Sequence, residues 1–223
     1  MTEYVDNPHL FPRTHDLPFS TISISWCDAQ SQHHLIYSEL LNTLHNQIHT
    51  QQYRQYLNHK GKFTPYQSSR IDWLSRSKAH SNMTLATNRW TTKWLTGFCG
   101  IGTMLVIYKH QKHSKCPRCN CDNETLTHVL KCSAPTAQQL WDDEMTNLQQ
   151  WILDNKGCPL LAETIVTQLH AWHNNELPPQ PSSSSPLLLE SIWQQASIGW
   201  QSFIEGFWSS KWREHQLQYF ESI

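Results

Sequence analysis

One short stretch of the chain constrains its fold more than any other, because it places metal-binding side chains at a fixed spacing. The pattern is C-x2-C-x8-H-x3-C, formed by Cys116, Cys119, His128 and Cys132. The tight turn between the first two thiols lets both bind one face of an ion. A short helix over 124–131 would place the imidazole and the last thiol one turn apart on the same side. These four ligands complete the tetrahedral coordination that zinc prefers and leave no position for water, so the spacing predicts one structural zinc ion in a CCHC knuckle.

The cysteine content also indicates the compartment. The chain has seven cysteines, an odd number with four at metal spacing, which argues against the disulfide framework of a secreted protein. The start of the sequence does not read as a signal peptide, and no apolar run is long enough for a membrane span. We therefore expect an intracellular protein, nuclear or cytoplasmic, that is not secreted and has no membrane partner. Cys121 competes for a ligand position, and we interpret it as a neighbouring thiol.

The formal net charge of −1 conceals a segregation of charge along the chain. Residues 54–131, the basic segment, carry thirteen basic and three acidic side chains, whereas 1–53 have a net charge of −4 and 132–223 a net charge of −7. A block of this kind supplies sequence-independent attraction to phosphate, although it could equally pair with the acidic C-terminal part of the same chain. The predicted nucleic-acid contacts are the basic side chains on and around the knuckle: Arg89, Lys93, Lys109, Lys112, Lys115, Arg118 and Lys131.

Hydrophobic periodicity predicts a mostly α-helical fold, an irregular helical bundle with the small zinc knuckle in the middle. The apolar run over 100–108 fits either a helix or a strand, and 109–115 form a basic loop that leads into the knuckle. The other apolar stripes predict helices over 33–58, 69–80, 83–96, 133–155, 159–175, 187–200 and 201–219.

These elements group into consecutive segments. The predicted division is an irregular segment over 1–30, a basic helical region over 31–115, the knuckle over 116–132, a helical hairpin over 133–176, a Pro/Ser linker over 177–186 and C-terminal helices over 187–223.

Three tryptophans within the basic segment have two possible roles. Trp73, Trp90 and Trp94 stand beside basic residues, as do aromatic side chains that stack on unpaired bases. Tryptophans at helical spacing more often belong to a core, and we predict core positions for all three.

Motifs typical of catalysis do not occur in the sequence. There is no Gly-rich phosphate loop, no G-x-S-x-G elbow and no H-E-x-x-H helix. The acidic run Asp142-Asp143-Glu144 lacks the separated partner carboxylates that two-metal phosphoryl chemistry requires. We therefore predict a protein that is not an enzyme.

Around the knuckle, features follow one another in a recognisable order: Ile71-Asp72-Trp73, Arg89-Trp90, Lys93-Trp94, Gly97, the basic loop, Cys116-Pro117-x-Cys119, Glu124-Thr125, His128 and Cys132. This order resembles the zinc-binding (CCHC) region that follows the reverse transcriptase domain in non-LTR retrotransposon polyproteins. The resemblance is specific over about 70–132 and looser to about 213, where Ile198-Gly199-Trp200, Phe203, Gly206 and Trp212 look like the helical tail of such elements.

The resemblance implies a protein that binds template nucleic acid, RNA or the DNA target, beside the polymerase part of a retroelement polyprotein, with zinc bound by the four residues named above. Together with the basic segment, it leads us to predict binding of RNA or single-stranded DNA. The sequence departs from the family in having three rather than four residues between His128 and Cys132. It also lacks the paired aspartates of a polymerase and the RNase H carboxylates, so those activities do not carry over. The chain reads as a fragment or remnant of such a polyprotein.

Two alternatives remain open at the level of sequence. Eleven tryptophans and an acidic C-terminal part are also consistent with a protein-interaction module. In such a module zinc only stabilises a small subdomain, and the tryptophan-rich helices bind a partner protein. The other alternative is a retroelement remnant without a present function.

Overall fold

Proline begins three of the four long helices that build the C-terminal part of the protein. Pro135, Pro159 and Pro186 all occupy the first turn, where the fixed φ of proline suits a helix and its missing N–H costs nothing. In a computed structural model, the residues described are 24–27, 33–36, 51–178 and 185–222. These residues are mostly helical, which confirms the predicted fold class.

The described residues contain eleven helices. Their bounds are α1 over 51–59, α2 Pro65–Arg70, α3 Trp73–Ser81, α4 Leu85–Thr96, α5 Gly102–Ile107, α6 Leu126–Leu130, α7 Pro135–Asp154, α8 Pro159–Asn174, α9 Pro186–Ile198, α10 Trp200–Ile204 and α11 Ser210–Ser222.

The chain divides into two compact units, residues 1–53 and 54–223. In the first unit, β1 (Ile24–Cys27) pairs antiparallel with β2 (His33–Ile36). The predicted helix over 33–58 is therefore wrong over its first four residues, whereas 51–59 are helical and 37–50 lie outside the described residues. Pairing with the strand that precedes it overrides the helical periodicity of this segment. The alternation of polar and apolar residues over 21–26 is a strand signal that lies in the segment predicted to be irregular.

The core of the second unit is formed by α7 to α11. Helix α7 packs on α8, and α9 packs on both α10 and α11. These helices bury one continuous apolar cluster, which consists of Trp141, Met145, Cys158, Leu161, Ile165, Leu169, Leu188, Ile192, Trp200, Phe203 and Trp212. The apolar stripes that predicted the helices are thus the surfaces that the fold buries.

The closing helix predicted over 201–219 is interrupted. Helix α10 ends at Ile204 and α11 begins at Ser210, with Gly206 between them at a φ of +80°. Most of the intervening loop is buried: it forms a β-bridge from Ser209 to Ile71, and Phe207 is fully inaccessible. The chain leaves the helical conformation here because the loop's backbone and ring pack against the start of the basic segment.

A buried amide fixes the shape of this loop. The side-chain oxygen of Gln195 accepts hydrogen bonds from the backbone N–H of Ser209 and from the indole N–H of Trp212, at 2.9 and 3.1 Å. Its nitrogen donates to the carbonyls of Phe207 and Gly199, both at 3.2 Å. Because these four hydrogen bonds satisfy its oxygen and its nitrogen, the fully buried amide of Gln195 stabilises the fold.

Among the described residues, none of the helices has both the length and the apolar character needed to cross a bilayer.

Candidate metal centre

The first two cysteines of the predicted knuckle lie in a tight turn between α5 and α6. The backbone N–H of Cys116 donates to the carbonyl of Cys121, and that of Asn120 donates to the carbonyl of Cys116, both at 2.9 Å. Asn120 has a φ of +59°, a left-handed conformation that asparagine tolerates better than most residues. The turn brings the side chains of Cys116 and Cys119 to the same side of the loop.

The histidine and the last cysteine come from the short helix α6. Thr125 caps this helix by accepting a hydrogen bond from the backbone N–H of His128 at 3.1 Å. Cys132 follows the helix directly, so it lies about one turn beyond His128. The predicted short helix is confirmed within one or two residues at its ends.

The four side chains meet at one point. Their ligand atoms all lie within 4.8 Å of one another, with the sulfurs of Cys116 and Cys132 3.8 Å apart and the Cys119 sulfur 3.3 Å from Nε2 of His128. Two sulfurs bound at about 2.3 Å to one tetrahedral zinc would be about 3.8 Å apart. Cys116 and Cys132 are almost completely buried and form a small cluster with Ala134. The predicted ligand set is thus assembled by the fold and can hold a metal ion.

The ionisation of the thiols fits a cation site. Burial acts to raise the pKa of Cys116, but hydrogen bonds from the backbone N–H groups of Cys119 and Arg118 lower it to about 6. A hydrogen bond from the backbone of Cys121 acts to lower the pKa of Cys119, yet desolvation and the neighbouring thiols Cys132 and Cys116 raise it overall. Several thiolates this close together repel one another unless a cation lies between them.

Glu124 joins this loop to α5, a role that the sequence did not reveal. Its buried carboxylate accepts a hydrogen bond from the backbone N–H of Gly102 at 2.7 Å, at the positive end of α5. Its backbone carbonyl accepts from the N–H and the hydroxyl of Thr103, at 3.2 and 3.1 Å. A Cβ on Gly102 would lie 2.5 Å from the carbonyl oxygen of Ser114, so only glycine allows this close approach.

The metal-binding segment also docks on the C-terminal helices. The ammonium of Lys131 donates to the carbonyl of Trp172 and to Oδ1 of Asn175, and it lies 4.2 Å from the centre of the Trp172 ring. Thr127 bonds Gln201 of α10 at 2.9 Å. Burial lowers the pKa of Lys131, which is consistent with an ammonium held in packing at the end of α8.

The other basic side chains predicted to contact nucleic acid are exposed to solvent. Four of them lie in the loop and turn that precede and form the first half of the metal centre, and two lie on α4; together they are Lys109, Lys112, Lys115, Arg118, Arg89 and Lys93. A groove of about 600 Å³ runs beside the metal centre, with Lys115, Arg118 and His113 among its lining residues.

The three tryptophans predicted to lie in the core differ in their burial. Trp73 is half-buried and packs edge-on against Phe207, with 6.0 Å between ring centroids, in keeping with a core position. Trp90 is 59% exposed, so the predicted core position is wrong for this residue. Helix α4 has no fully buried residue, although several of its side chains are partly buried.

The remaining thiols of the described part take no part in the cluster. Cys121 is exposed and does not belong to the four-ligand group, whereas Cys99 and Cys158 are buried.

No protein family, no curated protein and no solved structure matches this chain.

Proposed function

We propose that this chain is a nonenzymatic, zinc-stabilised helical protein that binds RNA or single-stranded DNA through its basic segment. The proposal includes an origin in the region that follows the reverse transcriptase domain of non-LTR retrotransposon polyproteins. The observation that carries it is that an exposed basic loop runs directly into an assembled four-ligand metal cluster.

The choice of zinc follows from the ligand types. Three thiols and one imidazole are soft and borderline ligands that suit zinc and disfavour magnesium or calcium. Because the protein supplies all four ligands, the ion is structural and offers no open position for a reacting water. Its role is to hold the loop between α5 and α6 in one conformation.

The basic loop then supplies the phosphate contacts. Lys109 and Lys112 are exposed, and Lys115 has only a long, exposed ion pair with Asp122, at 3.6 Å. Exposed pairs of this kind are worth little, so Lys115 stays available to a phosphate. The adjoining groove has the volume of a small-ligand pocket and can receive an unpaired base or sugar.

Pairing within the chain neutralises a different part of the basic segment. Lys62 forms an ion pair with Glu205 at 2.5 Å. Lys131 is engaged at the end of α8, so we assign it to docking of α6 in preference to phosphate binding. The internal pairing considered from sequence thus accounts for Lys62, and neutral partners on the C-terminal helices engage Lys131. We assign the external partner to the loop beside the metal cluster.

The test is a triple substitution, Lys112→Gln, Lys115→Gln and Arg118→Gln, measured by fluorescence anisotropy against single-stranded RNA and DNA at several salt concentrations. We expect weaker binding and a shallower salt dependence, by about 0.7 in the log–log slope for each lost phosphate contact. The charge-matched control is Lys60→Gln, Lys78→Gln and Lys156→Gln. All three side chains are exposed and lie outside the loop and the predicted contacts; Lys60 and Lys78 belong to the basic segment, so this variant measures the effect of its general charge.

The two triple variants together decide the proposal. Equal affinities of the loop variant and the wild type would refute binding through this loop. Absence of nucleic-acid binding by the wild type at low salt, together with self-association, would favour the protein-interaction module instead.

A further inference from the structure

Helix α4 is completely formed yet packs its aromatic side chains on one another instead of on a core. Thr84 caps its start by accepting a hydrogen bond from the N–H of Thr87, and Gly97 ends it at a φ of +80°. The rings of Trp90 and Trp94, one turn apart, stack with 5.5 Å between centroids and 22° between planes. Trp90 is 59% exposed, whereas Trp94 is half-buried beneath it.

The charges on this helix are all of one sign. Arg89 and Lys93 are its only charged side chains, both are exposed, and the helix has no acidic residue. The pair is interleaved with the tryptophans along the helix. Flat aromatic surface beside cations is the combination that binds single strands, because every base has a π-face and every nucleotide a phosphate.

We propose that Trp90, Trp94, Arg89 and Lys93 form a stacking platform for the bases of single-stranded nucleic acid. This inference deepens the proposed function and rests on it. The basic loop beside the metal centre binds the phosphate backbone of the nucleic acid, and α4 binds its unpaired bases. Trp94 supports the ring of Trp90 and limits its motion, which reduces the entropy lost on binding. The outer surface of Trp90 is the position for a base, with the two cations placed for the adjoining phosphates.

Charge complementarity favours a nucleic acid over a protein as the occupant. If the partner were a second copy of the chain, its basic segment would be repelled by Arg89 and Lys93. Only its acidic C-terminal part would be attracted to them. A duplex presents stacked bases whose faces the indole cannot reach, so binding there would depend on charge alone. We therefore expect the protein to bind single strands more tightly than duplexes, and we expect substitution of Trp90 to remove this preference.

The experiment compares Trp90→Ala with Trp151→Ala. Both tryptophans are 59% exposed, but Trp151 lies on α7, which carries four acidic residues and no basic one. The probes are a single-stranded oligonucleotide of about 16 nucleotides, the same length with abasic sites, and the corresponding duplex. Circular dichroism and metal content establish that each variant is folded.

We expect Trp90→Ala to lose about tenfold in affinity for the single strand. Its salt dependence and its affinity for the abasic strand should match those of the wild type, and Trp151→Ala should bind all three probes normally. Replacing Arg89 and Lys93 by glutamine should instead reduce the salt dependence for every probe.

Each other outcome has a definite meaning. Equal affinity of wild type and Trp90→Ala for the single strand overturns the platform, and the proposed function still stands if the loop variant binds weakly. Binding of no probe by the wild type refutes the proposed function and the platform with it. Loss of self-association in Trp90→Ala at unchanged nucleic-acid affinity overturns the platform and identifies α4 as a protein contact.

Discussion

Cys119 and Cys121 are two thiols of the same loop with opposite surroundings. Cys119 lies 3.3 Å from the His128 ring within the four-ligand cluster, whereas Cys121 is exposed and outside it. The small buried group around the cluster is separate from the main apolar core. Loss of the metal is therefore expected to affect this loop and the short helix α6 without unfolding the helices of the main core.

We predict that Cys119→Ser abolishes binding of one zinc per chain and unfolds the region around 110–135. Structural zinc binding is coupled to folding, with apparent magnitudes of about 10–16 kcal/mol in isolated finger peptides. Elemental analysis under reducing conditions measures the metal, and circular dichroism should show that most of the helical signal remains. Cys121→Ser is the matched control and should keep the ion. A well-folded wild type without zinc would contradict the prediction, and so would loss of all cooperative structure in Cys119→Ser.

His215 on α11 makes stability depend on pH. The residue is 9% exposed, and within the described part of the chain its Nδ1 has no hydrogen-bond partner. Burial lowers the pKa of His215 below its ordinary value of 6.5. Below pH 6.5 the imidazole is protonated in the unfolded chain more readily than in the folded chain. The free energy of unfolding therefore falls as the pH drops below 6.5.

We predict that His215→Gln makes this decline shallower, by at most about 1.4 kcal/mol per pH unit. Urea unfolding between neutral pH and mildly acidic pH measures the effect. Protonation of the metal ligands acts on both proteins, so the difference between their slopes isolates His215. Identical slopes would show that this imidazole titrates equally in the folded and unfolded states.

At the level of elements, the break between α10 and α11 depends on glycine. Gly206 has a φ of +80°, and a Cβ there would lie 2.8 Å from Nη1 of Arg76. That nitrogen donates to the carbonyl of Glu205 at 2.8 Å, and the guanidinium lies 3.9 Å from the centre of the Phe207 ring. A side chain at 206 would therefore disturb both the backbone and a buried cation.

We predict that Gly206→Ala destabilises the protein more than Gly61→Ala does. Gly61 has a similar φ of +69°, but a Cβ there would meet nothing within 4 Å. Gly61→Ala should cost only the backbone strain, about 1–2 kcal/mol, and Gly206→Ala should cost that strain plus displacement of Arg76. Chemical denaturation of both variants gives the comparison, and equal losses would show that the arginine moves aside freely.

In the second unit, the start of the basic segment is joined to the acidic C-terminal part. The Glu205 carboxylate is 2% exposed and pairs with Lys62, while Asp72 pairs with Arg213 at 3.3 Å. The backbone N–H of Asp72 also donates to the carbonyl of Trp208 at 2.8 Å. Two buried carboxylates are thus each paired with a partly exposed cation that is far away in sequence.

We predict that Lys62→Met destabilises the protein by about 3–5 kcal/mol, because it leaves a buried carboxylate without its partner. Combining it with Glu205→Met should recover much of the loss, since no buried charge then remains. Lys60→Met is the control: its side chain is exposed, and the change should stay within about 0.5 kcal/mol. Unfolding by denaturant completes the double-mutant cycle, and additive losses would mean that the pair contributes nothing.

The sequence by itself determined which four side chains form the candidate metal site, and it determined most of the helices. Both depend on residues close together along the chain: the spacing of Cys116 to Cys132 acts through one turn and one short helix, and the apolar stripes of α7 and α8 repeat within each helix. The proline and glycine positions fixed where several of these helices begin and end.

Only the tertiary structure decided the features that depend on contacts between separate elements. The strand over 33–36 exists because another strand pairs with it, and the loop after α10 exists because Ile71 and Phe63 contact it. Whether Trp90 is buried depends on which helices cover α4, and the part played by Glu124 depends on its approach to Gly102. Periodicity identifies the apolar face of a helix, but only the packing of the whole chain determines whether that face is covered.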